Sequence, residues 1–357
     1  MKNENKFILE TIKGERAEKN VLIELMGEKM DYPYILGQLL FNRVGAIAYF
    51  TLLRNELLQK VNREFRNSLK AIYEYNSMKT ESFIKATQSL AKACTHMNFP
   101  YAFLKGAYLV GLYPHGLRTS NDIDILIDPE HVTELSNILK KYDFKQGNIK
   151  NEIFVPADRK EIISSRMNRG ETVPFVKEVD MPGMKYLEID VNFSLGFSPG
   201  MDESIVRTFL EKTQPLIFDA ISTLNDVDFL LHLCAHLYKE ATVMSWVEMG
   251  RDISLYKYCD IYMYLNQHLN EDYCEKLIQR VDEVGLHKEC YYTFYNTKKL
   301  FCISNSFVEK LLNKIRPNDL SFMNQIIDPQ QEKRYSFDLD YNDWIFCSNR
   351  RRLLHAT

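Results

Sequence analysis

The chain has 357 residues, 45% of them hydrophobic and 26% charged, enough apolar material for one large core or two to three smaller ones, which excludes a disordered chain. Its 45 basic and 48 acidic residues leave a formal charge of −3, so the basic excess of a large nucleic-acid footprint is missing. Seven cysteines, scattered from Cys94 to Cys347 without a C-x-x-C pair, read as reduced thiols rather than a disulfide framework or a zinc site.

Met1 to Lys6 is charged and runs straight into an amphipathic segment, unlike a secretion signal, and no apolar stretch approaches the roughly 20 residues of a membrane span, so a cytoplasmic enzyme is expected. From Asn5 to about His96 apolar residues recur at helical spacings, as in Leu22, Leu25 and Met26, Leu36, Leu39 and Leu40, or Leu52, Leu53 and Leu57, with Pro33 as the clearest breaker. The last of these helices, Lys79 to Met97, is rich in hydroxyls and small residues and is expected to pack on the sheet region beyond it. Residues 100–199 then alternate: strand 101–104, helix 106–112, strand 122–127, helix 130–142, a hairpin-like region near 152–180, and strand 185–194. Asp128-Pro129-Glu130 is a helix start, a capping carboxylate followed by proline at the first helical position. From Met201 onward the pattern is mostly helical again, with a late break at Arg316-Pro317-Asn318-Asp319. Arg334 to Thr357 is polar and aromatic, ends in Arg350-Arg351-Arg352, and reads as a solvated tail or a strap across the surface. The fold class is α+β, a small mixed sheet at 99–200 flanked by helical regions at 1–98 and 201–333, with a tail at 334–357.

Within that sheet, Asp122-Ile123-Asp124-Ile125-Leu126-Ile127 carries the chemistry. Side chains at i and i+2 of a strand point the same way, so Asp122 and Asp124 share a face. Like charges there are costly unless neutralised, and a divalent cation held by carboxylate oxygens does so. Upstream, Leu104-Lys105-Gly106-Ala107 breaks a short strand into a helix, a turn that aims backbone N–H groups and the Lys105 ammonium at an anion. Gly116-Leu117-Arg118-Thr119-Ser120-Asn121 adds a loop whose Arg118 can grip phosphate oxygens in a two-point fork. A third carboxylate comes from Lys185 to Ser194, which alternates cleanly, placing Leu187, Ile189, Val191 and Phe193 on one face and Glu188, Asp190 and Asn192 on the other; Asp190 is the first candidate and Glu188 the second. His232 and His236, four apart on a helix, read first as packing positions because no His-Glu-x-x-His signature surrounds them.

Taken in order, these motifs resemble the nucleotidyltransferase superfamily with the DNA-polymerase-β-like palm. Leu104-Lys105-Gly106, Gly116-Leu117-Arg118 and Asp122 to Ile127 are similar to the bacterial group called uncharacterised nucleotidyltransferase, and Leu230 to His236 and Arg251-Asp252-Ile253 are similar to the helical segment that comes after the palm there; the resemblance spans roughly residues 20 to 270. It supports Asp190 over Glu188 as the third acidic position and makes His236 a candidate nucleotide or acceptor contact. The chain departs from it twice. Lys105-Gly106-Ala107 replaces the Gly-Ser or Gly-Gly of the wider superfamily, which moves a hydroxyl contact with the triphosphate to Ser120, and Asn192 replaces a histidine. The resemblance implies two Mg2+ ions about 4 Å apart, held by Asp122, Asp124 and Asp190. Lys105, Gly106, Arg118 and Ser120 would bind the phosphates of an NTP, ATP included, with Glu188 or Asp190 as base. The implied acceptor is a hydroxyl, on a small metabolite or natural product first; a tRNA or protein acceptor, as in toxin-like relatives, and a catalytically silent nucleotide-binding regulator are the alternatives. Nucleic acid is thus possible but not favoured, no membrane partner is expected, and no pattern sets an oligomeric state.

Overall fold

The computed structural model describes residues 1–195, 203–216 and 221–357, and the chain divides into two units, Glu74–His232 and a second made of Met1–Tyr73 with Leu233–Thr357. The expected end of the sheet region near residue 200 lies outside the described residues.

The unit Glu74–His232 is built on a mixed sheet of eight strands: β1 (Tyr101–Phe103), β2 (Asp122–Ile127), β3 (Lys145–Lys150), β4 (Ile153–Pro156), β5 (Phe175–Met181), β6 (Met184–Asn192), β7 (Thr213–Pro215) and β8 (Ser222–Leu224), in the order β4-β3-β5-β6-β2-β1-β8-β7. β2 runs parallel to β6 and antiparallel to β1. The β-branched run of β2 fits this central position, since all its residues after Asp122 are buried. Ile189 and Val191 of β6 bury their alternate face in the same way, at 0% and 1% exposure. The helix expected from Lys79 begins earlier, at Arg63, and runs to Ser89; within this unit Ser82 donates to the Pro182 carbonyl and Thr80 to that of Arg118. Asp128 caps as expected, its Oδ1 accepting from Glu130 N at 3.0 Å ahead of the helix Val132–Lys141.

Three further features of this unit differ from the sequence reading. The region 152–180 is not a simple hairpin: after β4 it holds the helix Arg159–Arg169, capped by Asp158 at its start and by left-handed Gly170 at its end. The sheet also extends past the palm strands, because β8 pairs in parallel with β1 at Phe103↔Thr223 and carries β7 outside it. The helix after Gly106 is one short turn, Gly106–Leu109, with the Ala107 and Tyr108 amides bonded to the Leu104 and Lys105 carbonyls.

In the second unit, Leu22, Leu39, Leu52 and Leu57 are fully buried while Leu40 and Leu53 face outward at 50% exposure, the split expected of amphipathic helices. Pro33 opens a helix there, Tyr32–Phe41, with Asp31 accepting from Tyr34 N. Residues 334–357 are not a solvated tail. They contribute β10 (Lys333–Ser336) and β11 (His355–Ala356), paired with β9 (Gln325–Asp328), and Trp344 is fully buried against Phe337, ring centroids 4.0 Å apart. Arg350 forks onto Asp252 at 2.6 and 2.5 Å, so Asp252 anchors the C-terminal segment. Among the described residues no helix is long and apolar enough to cross a membrane.

Candidate active site

Parallel pairing of β2 with β6 sets the site. The register places Asp122 opposite Glu188, Asp124 opposite Asp190, and Leu126 opposite Asn192. Because residues two apart on a strand share a face, Asp122, Asp124, Glu188 and Asp190 form a two-by-two block of carboxylates on one face of the sheet. The opposite face, with Ile123, Ile125, Ile189 and Val191, is buried core. Asp124 is 5% exposed. Burial and the neighbouring charges of Asp124 and Asp122 push the Asp190 carboxyl well above the usual carboxylate range, and burial with the Asp122 charge raises Glu188.

A lysine meets this block. Lys105 Nζ lies 2.7 Å from Asp124 Oδ1. It gets there from the end of β1 through a backbone corner at φ 44° and ψ −115°, a region that costs a residue with a side chain on the order of 1–3 kcal/mol. The adjoining Gly106 lets the loop approach, since a Cβ there would stand 2.6 Å from both Cβ and Oγ of Ser120. Ser120 in turn donates to Asp122 Oδ1 at 2.8 Å. Arg118 lies on the same loop, its guanidinium bonded to the Thr119 carbonyl. Gly116, at φ 80°, brings that loop against the helix Arg63–Ser89, where a Cβ would meet Ser77 Cα at 3.1 Å.

The structure therefore gathers Asp122, Asp124, Asp190, Glu188, Lys105, Gly106 and Ser120. Arg118 stands two residues before Ser120 on the loop. His236 belongs to the other unit, where its Nε2 lies 3.1 Å from Glu240 Oε2 and Glu240 also takes Lys257 at 2.5 Å. Two residues escaped the sequence reading as site members. Asn192 brings Nδ2 to 3.4 Å from Asp124 Oδ1, its signal being the i+2 spacing from Asp190. Lys79 donates to Asn121 Oδ1 beside Asp122, from 42 positions upstream, and no local pattern marks it.

Among the described residues no three or more His, Cys, Asp or Glu side chains form a ready-made metal cage. The donor set nonetheless suits a hard divalent cation: carboxylate oxygens only, crowded enough that two of the carboxyls resist ionising. Oxygens of Asp124 and Asp122 are engaged by Lys105 and Ser120, so an ion would take over positions that an ammonium and a hydroxyl now fill.

The sequence profile of a family described as uncharacterised nucleotidyltransferase matches residues 28–302. The chain belongs to this family. It is a nucleotidyltransferase, and the matched span takes in the whole carboxylate block, the Lys105-Gly106 turn and the Arg118 loop. No curated protein matches. Among solved structures the chain is similar to an antigenic nucleotidyltransferase-like protein from Paracoccidioides brasiliensis, at 12% identity and a TM-score of 0.35, over 58% of this chain and 92% of that one.

For this nucleotidyltransferase, Gly106→Ala is expected to displace Ser120 and weaken nucleotide binding by about tenfold or more while costing about 1–3 kcal/mol of stability. Equilibrium dialysis with labelled nucleotide and thermal melts check it. Unchanged affinity would mean that the Gly106–Ser120 approach has no part in binding.

Proposed function

We propose that the enzyme transfers a nucleoside monophosphate from an NTP to a hydroxyl group, using magnesium, with a small metabolite or natural product in the cytoplasm as acceptor. The observation that carries this reading is the Asp124↔Asp190 pairing across β2 and β6, with Asp122 and Glu188 one step along the same face. Asp122, Asp124 and Asp190 would hold the metal, which supplies neutralisation of the triphosphate and of charge on the entering and leaving oxygens. Lys105 and Arg118 bind phosphate oxygens, with the Gly106 amide and the Ser120 hydroxyl as further donors. Glu188 or Asp190 takes the proton of the acceptor hydroxyl. The acceptor oxygen then bonds to the α-phosphorus, the bond from that phosphorus to the α–β bridging oxygen breaks, and pyrophosphate leaves with the electron pair. The near balance of 45 basic and 48 acidic residues favours a small acceptor over RNA.

The test is incubation of the purified protein with each labelled NTP, Mg2+ and a cell extract. Label is expected in a small-molecule fraction, with release of pyrophosphate, and Asp122→Asn is expected to abolish both while retaining the wild-type circular dichroism spectrum. Label in RNA or protein would replace the acceptor class. No pyrophosphate with any NTP, or full activity in Asp122→Asn, would overturn the catalytic reading.

A further inference from the structure

Lysine is a costly choice for the corner at residue 105. At φ 44° and ψ −115° a glycine would sit without strain, whereas a side chain is tolerated only because the surroundings enforce it. What the corner gains is placement, since the Lys105 ammonium is delivered to 2.7 Å from Asp124 Oδ1, on the face that also carries Asp122, Glu188 and Asp190. Asp124 is 5% exposed, so solvent screens this ion pair little. An ammonium there does the electrostatic work of a metal cation. It also stands where an ion bound to Asp124 would have to go, and the repulsion between a divalent and a monovalent cation sharing one carboxylate oxygen is strong in a partly buried site.

We propose that Lys105 is the resident counter-cation of the carboxylate face: it keeps the face closed to free divalent metal and releases Asp124 only when the ion arrives with a triphosphate whose oxygens take over the ammonium. This inference rests on the reading of the carboxylates as metal ligands and of Lys105 as a phosphate contact. A lysine suits the exchange because its charge rides on a flexible four-carbon stem, so Nζ can leave the carboxylate for a phosphate while the backbone corner stays in place. Metal and nucleotide then enter as one complex, and transfer does not begin from a metal-loaded, nucleotide-free enzyme.

The full chain and its Lys105→Gln, Lys105→Met and Lys105→Arg variants would be compared by equilibrium dialysis against Mn2+, with and without inorganic triphosphate, and, separately, by calorimetric titration with inorganic triphosphate alone. Lys105→Gln and Lys105→Met are expected to bind Mn2+ alone at least about tenfold more tightly than the wild type and triphosphate about tenfold more weakly, while Lys105→Arg keeps Mn2+ binding near the wild-type level. A merely structural lysine would move both affinities the same way. Mn2+ affinity unchanged or weakened in both neutral variants overturns this inference alone. Absence of Mn2+ binding by every protein, with and without triphosphate, overturns it together with the metal reading of the carboxylates.

Discussion

Asp190→Asn is expected to melt at a higher temperature than the wild type and to transfer no nucleotide. Asp190 stands across the β2–β6 pairing from Asp124, one step from Asp122, and burial and those two charges hold its carboxyl well above the usual range. Asparagine keeps the shape and removes the charge, relieving repulsion and desolvation. In EDTA, calorimetry should show a gain of roughly 2–4 °C for each kcal/mol relieved. Transfer should fall by about a thousandfold or more, because the lost carboxylate is one of the three proposed to hold the metal. Added Mg2+ and NTP should stabilise the wild type and not the variant. A lower melting point would show that the carboxylate block carries no strain, and activity within about tenfold of wild type would remove Asp190 from the chemistry. Opposite signs for stability and activity are what a site built from unfavourable neighbours predicts.

The parts of this site visible in the sequence are those encoded by local period. Ile123, Ile125 and Ile127 alternating with Asp122 and Asp124, and Leu187, Ile189 and Val191 alternating with Glu188 and Asp190, announce two strands with one acidic face each. Which acid meets which was not legible, because β2 and β6 are far apart in the chain and nothing local to either strand sets its register against the other. Lys105 was visible as a cation at a turn, but its engagement of Asp124 spans 19 positions and a backbone corner that lysine seldom takes. The helix Arg159–Arg169 was hidden by its own exposure: Ile163 and Met167 face outward, so no apolar stripe marks it, although Asp158 and Gly170 were readable as caps. Strands β7 and β8, three residues each, are too short to show a period. In the C-terminal segment Phe337, Tyr341 and Trp344 signalled burial more truthfully than Arg350-Arg351-Arg352 signalled solvent.

Arg350→Ala should be among the most destabilising single changes in the chain. The Arg350 and Asp252 side chains are 5% and 0% exposed, joined by two hydrogen bonds of 2.6 and 2.5 Å, and Arg350 also donates to the Cys347 carbonyl at 2.7 Å. Removing the guanidinium strands a buried carboxylate, which costs about 3–5 kcal/mol and should lower the melting point by on the order of 10 °C in scanning calorimetry. Its neighbour supplies the control. Arg351 stands 3.7 Å from Glu248 and 5.0 Å from the centre of the Tyr335 ring, with both charged side chains about half exposed, so Arg351→Ala should cost no more than about 1 kcal/mol. The double replacement Asp252→Leu with Arg350→Met removes both charges and should recover most of the loss, because the penalty comes from the unpaired ion and not from the absence of the pair. If Arg350→Ala cost less than about 1 kcal/mol, the C-terminal segment would be held by the Trp344–Phe337 packing and the β9–β10–β11 pairing rather than by the fork. If the double replacement were as unstable as the single one, the fork itself would be the stabilising element.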